Sequence, residues 1–209
     1  MSELLNKFQQ IHRQSTRQIG PLYCIPAAIS NATRLFGYED FTQERIRDEW
    51  YEEQKRTLEK DVNQQMSGAG FGIVNTLKGC TNFAQKFETA SFCRPGDQDP
   101  FNLSKADEAI SFVESHMSQN HAVIVSTWTL ILFNGALVPQ CCHMWLTLAF
   151  ERAHNYAIIH DPGDDQLQPV AISHDVHLPG IGGGCVTLNT GLRGRVTHTD
   201  YSCLAIWKK

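Results

Sequence analysis

The hydrophobic period of the chain changes once, near residue 122, and that change limits the architectures open to it. Before that point apolar residues recur at helical spacing. After it, short β-branched runs alternate with turns. Runs of helices followed by runs of strands predict an α+β fold, with an antiparallel sheet and helices on one side of it. At 209 residues the chain is long enough to bury its own core. No repeat or low-complexity tract divides it, so a single domain over 1–209 is expected.

The first strong element is a helix over 24–36, where Ile25, Ile29, Ala32 and Phe36 fall on one face. Pro26 sits in its first turn, where a missing N–H costs nothing, and Gly37 offers a stop. A second helix starts at Thr42. Its surface is charged from Glu44 to Lys60 and its apolar stripe, Ile46, Trp50 and Leu58, is sparse, which predicts a peripheral position. A third is expected over 67–79 and a loop over 93–100. A helix follows through Ala109, Ile110, Val113 and Met117, opened by the capping-box-like Ser104 to Asp107. Strands are expected over 122–128 and 130–138, turning at Asn134-Gly135. Two more, over 143–150 and 156–160, are joined by the polar turn 151–155, and shorter ones are expected over 170–172, 185–188 and 203–207.

Composition excludes several classes of function. A net charge of −4 and a pI near 6.1 give no basic footprint for nucleic acid. No apolar run reaches the ~18–20 residues a membrane span needs. The N-terminal ten residues lack the apolar core of a signal peptide. With seven cysteines, an odd number, the expectation is reduced thiols and a cytoplasmic protein, or one secreted without a cleavable signal. No cofactor or metal is expected. Cys141, Cys142 and His143 are adjacent and point alternately across a strand, no C-x-x-C pair exists, and His174 and His177 have no specific ligand spacing. The glycine-rich run 180–184 is not followed by Gly-Lys-Ser/Thr, so it reads as a flap or turn rather than a phosphate loop. His154, His160 and His198 read as solvated.

Four residues have the chemistry of acyl transfer. Cys24 opens an apolar helix, whose dipole and unpaired N–H groups favour a thiolate, though a free cysteine also serves as a small buried hydrophobe. Gln18, six residues earlier, has an amide able to donate to an oxyanion. His143 is expected to open a strand, placed to take the thiol proton and return it to a leaving group. Asp161 follows the next strand, where a carboxylate can orient an imidazole; Asp-Pro-Gly is also a turn former in its own right.

The order of Gln, Cys at a helix start, His on a strand and Asp after the next strand resembles that of papain-like cysteine peptidases. The run Tyr23-Cys24-Ile25-Pro26-Ala27-Ala28 is similar to the nucleophile segment of the bacteriocin-processing, double-glycine-leader peptidases, and 143–163 is similar to that family's second half. The likeness covers 18–37 and 122–163. It implies a papain-like fold, with a helical N-terminal half whose nucleophile helix packs on a C-terminal antiparallel sheet, and a bacterial source. It also implies roles: Gln18 as oxyanion donor, Cys24 as nucleophile, His143 as general base and acid, Asp161 as orienting carboxylate. The reaction is then cleavage of an amide bond in a peptide or protein substrate through a thioester. Ile25 stands where the family has glycine, which keeps open a catalytically silent peptide- or protein-binding domain. A deamidase or amide-transferring effector shares the same machinery.

Overall fold

The structure, a computed structural model, describes residues 2–11, 16–20, 23–58, 77, 80–92, 103–133, 136–154, 156–163, 165–173, 187–190 and 195–209. The helix expected over 67–79 (apart from the buried Leu77), the loop at 93–100, the Asn134-Gly135 turn and the glycine-rich run 180–184 lie outside them. In chain order the elements are α1 (Glu3–Ile11), α2 (Cys24–Arg34), α3 (Gln43–Leu58), α4 (Thr81–Lys86), β1 (Phe87–Phe92), α5 (Leu103–Ser118), β2 (Ala122–Phe133), β3 (Ala136–Glu151), β4 (Tyr156–Asp161), β5 (Gln166–Ser173), β6 (Thr187–Thr190) and β7 (Arg195–Lys208). This is the α+β architecture read from the sequence.

Helix α2 ends as its sequence dictates. Gly37 takes φ +83°, and two bonds, Gly37 N–H to Arg34 O at 2.9 Å and Tyr38 N–H to Thr33 O at 3.2 Å, close the terminus in a Schellman arrangement. Helix α3 starts after Thr42, whose hydroxyl accepts the Arg45 N–H at 3.3 Å.

The seven strands form one antiparallel sheet in the order β1-β7-β2-β3-β4-β5-β6. Because β6 also pairs with the first half of β7, strands β2 to β7 close into a ring, and β1 adds to the second half of β7. The strand expected over 130–138 is divided between β2 and β3, which pair antiparallel with Phe133 opposite Ala136.

Two corrections to the sequence reading matter for the site. First, helices cover both faces of the sheet. Ala122, Ile124, Leu146, Leu148, Leu204 and Ile206 pack with α1 and α2, whereas Val123, Trp145, Ala157, Ile159, Cys203 and Ala205 pack with α5. Central strands buried on both faces carry apolar residues at successive positions, as Val123-Ile124 and Ala205-Ile206 do. Second, β3 does not begin at His143. It runs unbroken from Ala136, so His143 lies in its interior, opposite Thr127. Pro139 does not break it, because the register shifts there: Thr129 pairs with Cys141 and Leu130 with Pro139.

Candidate active site

Cys24 is the first residue of α2, half-buried, with a free thiol. The residue before it, Tyr23, is the N-cap and makes no side-chain hydrogen bond to the first-turn N–H groups. The helix therefore presents its positive end to whatever the thiol carries. Tyr23 is pinned by its N–H to Gly20 O at 3.1 Å and by Arg47, which donates to the Tyr23 hydroxyl and lies 5.2 Å from the ring centroid. Gly20 permits this approach: a Cβ there would stand 3.1 Å from Tyr23 Cδ2. Helix α2 packs on β3 and β2 through Ala28, Ile29 and Ala32. Ile25 is half-buried and packs against the same core.

The Gly20 carbonyl also ties Gln18 to this helix start. It accepts Gln18 Nε2–H at 3.0 Å as well as the Tyr23 N–H. Gln18 Oε1 is buried and has no hydrogen-bond partner among the described residues. The main chain of Gln18 reaches the other half of the molecule, its N–H donating to Pro162 O at 2.8 Å. Gln18 is thereby held between the start of α2 and the turn that follows β4.

That turn carries Asp161, the last residue of β4 and half-buried. One of its carboxylate oxygens accepts the Gly163 N–H at 2.7 Å, and its carbonyl accepts the Asp165 N–H at 2.8 Å. Asp165 takes a left-handed backbone, φ 55°, and its carboxylate accepts the Thr16 hydroxyl. The same carboxylate lies 3.1 Å from His160 Nε2. Asn31 of α2 completes the knot, donating to Thr16 O at 2.9 Å. His160 is thus not solvated. It is fully buried, packed on Phe8 with ring centroids 4.6 Å apart, and it helps lock the 16–18 segment to the 161–165 turn.

The placement of His143 is given by its backbone; its side chain lies outside the described residues. Leu146 pairs with His160, so His143 is three positions before Leu146 on β3, while Asp161 is one position after His160 on β4. In antiparallel strands the two are then offset by two positions, about 7 Å along the strand. Gln18 bonds both to the Gly20 carbonyl just before the Cys24 helix and to the Pro162 carbonyl just after Asp161, and the His143 position is on the strand beside β4. Sequence reasoning missed Thr16, His160, Asp165 and Gln43, which hold the loops in place. The only signal for Asp165 was its place in an Asp-rich turn, a residue type that tolerates left-handed backbone.

Among the described residues no group of three or more His, Cys, Asp or Glu is arranged to hold a metal ion, and no helix is long and apolar enough to cross a membrane. A search of curated proteins finds no match to the chain. A family model does match, that of the Peptidase_C39 like family, over residues 6–175, a span that contains Gln18, Cys24, His143 and Asp161. With a helix that begins at Cys24 packed on an antiparallel sheet and that match over most of its length, the chain belongs to the Peptidase_C39 like family, a relative of the papain-like cysteine peptidases.

Proposed function

We propose that the protein is a cysteine peptidase that cleaves an amide bond in a peptide or protein substrate, with Cys24 as nucleophile. In this reading His143 takes the Cys24 thiol proton and the thiolate attacks the substrate carbonyl. The resulting oxyanion is held by the Cys24 N–H and a Gln18 Nε2–H. Collapse of the tetrahedral intermediate expels the amine, which takes the proton from the His143 imidazolium, and leaves a thioester. His143 then deprotonates a water that attacks the thioester, releasing the acid and the thiolate–imidazolium pair. Asp161 orients the His143 ring throughout.

The observation that carries this reading is the shared Gly20 carbonyl, which joins the Gln18 amide to the residue preceding Cys24. An amide donor beside an uncapped helix N-terminus that begins with a thiol is what stabilisation of a developing oxyanion requires. Ile25 packs on the core, which favours an unobstructed approach to the thiol over a silent domain.

The test is the pH dependence of iodoacetamide labelling at each cysteine, read by mass spectrometry, in the wild type and in His143→Ala. The expected result is that Cys24 reacts well below pH 7 and loses that reactivity without His143. Labelling of Cys24 with the pH profile of an ordinary thiol, pKa about 8.5, and no dependence on His143 would overturn the assignment.

A further inference from the structure

We infer that Gln43, the first residue of α3, is a positioning residue that aims the Gln18 amide at the reacting carbonyl. Its side chain is buried, at 8% exposure, yet both of its hydrogen bonds go to main-chain groups flanking Gln18. Gln43 Nε2–H donates to Arg17 O at 2.7 Å, and Gln43 Oε1 accepts the Ile19 N–H at 3.1 Å. These two groups belong to the peptide units on either side of Gln18. With the Gln18 N–H on Pro162 O, the backbone of this one residue is held at three points.

The Gln43 amide grips both peptide units that flank Gln18 through part-buried hydrogen bonds, so their loss is felt in stability as well as in the aim of Gln18. What it fixes is the dihedral state of Gln18, and with it the direction of a side chain whose Oε1 is already buried without a partner among the described residues. Displacing an oxyanion donor by about 1 Å is enough to cost a large factor in rate.

The inference rests on the oxyanion role of Gln18 given above, and two electrophiles separate the possibilities. Acetylation by p-nitrophenyl acetate forms a thioester at Cys24 and expels p-nitrophenolate through a tetrahedral oxyanion. Alkylation by iodoacetamide displaces iodide with no oxyanion. Both rates are measured on the full chain, corrected with Cys24→Ala, for wild type, Gln18→Ala, Gln43→Met and the double variant. Met keeps the volume of Gln43 without its hydrogen bonds. Should Gln43→Met not fold, Gln43→Glu, which keeps the acceptor for Ile19 and loses the donor to Arg17, carries the same comparison.

The expected outcome is a drop of about tenfold or more in the acetylation-to-alkylation ratio for Gln18→Ala and for Gln43→Met, with the double variant no worse than Gln18→Ala. A lowered ratio in Gln18→Ala with a wild-type ratio in Gln43→Met overturns the role of Gln43 alone. An unchanged ratio in Gln18→Ala overturns the Gln18 assignment and this inference with it. Acetylation and alkylation falling together in Gln43→Met mark general loosening and overturn it as well.

Discussion

Asp161 is asked to do two things, and substitution can separate them. Its carboxylate accepts the Gly163 N–H at 2.7 Å, a turn-forming bond independent of catalysis. Asn keeps an acceptor for that bond but cannot stabilise an imidazolium. Asp161→Asn is therefore expected to slow Cys24 acetylation by roughly 10²-fold or more while changing the unfolding free energy by under about 1 kcal/mol. Asp161→Ala is expected to lose both rate and stability. Near wild-type acetylation in Asp161→Asn would remove Asp161 from the proposed machinery and leave it a turn residue. At this scale the sequence showed the chemistry-bearing types but not their support. His160 and His154 look alike in sequence, yet one is fully buried on Phe8 and the other is exposed beside Glu151. What separates them is packing against α1, more than a hundred residues away in the chain.

Among the elements, α2 was the most legible, because its ends are written locally: Pro26 in the first turn and Gly37 at the stop. A Cβ at Gly37 would meet nothing within 4 Å, so any cost of replacing it comes from the backbone alone. Gly37→Ala is expected to destabilise by about 1 kcal/mol and Gly37→Asn by less, measured by urea denaturation. A neutral Ala would mean that the terminus rearranges. Strand β3 was less legible: the pattern splits it between strands over 130–138 and 143–150, because the register shift beside Pro139 leaves no mark in the hydrophobic pattern. Strand β1, Phe87–Phe92, gave no signal: its six residues include one β-branched side chain, and it forms by adding to the edge of β7.

The C-terminus of α5 yields a prediction about pH. His116 and His121 share a hydrogen bond, Nδ1 to Nδ1 at 2.8 Å, and His121 stacks on Trp207 with ring centroids 4.4 Å apart. Burial lowers both pKa values from the ordinary histidine value, and the neighbouring His121 lowers that of His116 further. A histidine whose folded-state pKa is depressed contributes stability that is complete above the unfolded-state pKa, about 6.5. That contribution is lost as pH falls through and below it, because the unfolded chain then binds protons more readily. Acidification from pH 7.5 to 5.5 is expected to lower the denaturation midpoint of the wild type more than that of His116→Gln. Equal losses in the two proteins would show that the pair is not responsible.

At the scale of the whole molecule, the sequence pattern foretold an antiparallel sheet with helices but put those helices on one side, whereas they cover both faces. Both faces of β2, β3 and β7 are apolar, so α5 and the α1–α2 pair could have been assigned either way from pattern alone. Nor could the pattern show how the two halves are joined at the site. The join is the knot of Thr16, Asn31, His160 and Asp165, which fastens the segment before α2 to the turn after β4. Asp165 is its centre and holds a left-handed backbone as well. Replacing it with Ala adds backbone strain of about 1 kcal/mol and strips an acceptor from groups that are fully buried in Thr16 and His160, a further ~1–3 kcal/mol. Asn tolerates the same φ and keeps one acceptor, so Asp165→Asn should retain most of that stability. Because Gln18 N–H meets Pro162 O within the same join, loosening it also frees the loop that carries the proposed oxyanion donor. Asp165→Ala is therefore expected to lower the unfolding free energy, measured by urea denaturation, by ~2–4 kcal/mol and to raise amide exchange at Gln18 well above that in Asp165→Asn, read by hydrogen–deuterium exchange. Protection at Gln18 that survives Asp165→Ala would mean that the Pro162 contact stands alone and that the two halves of the site are not coupled through this turn.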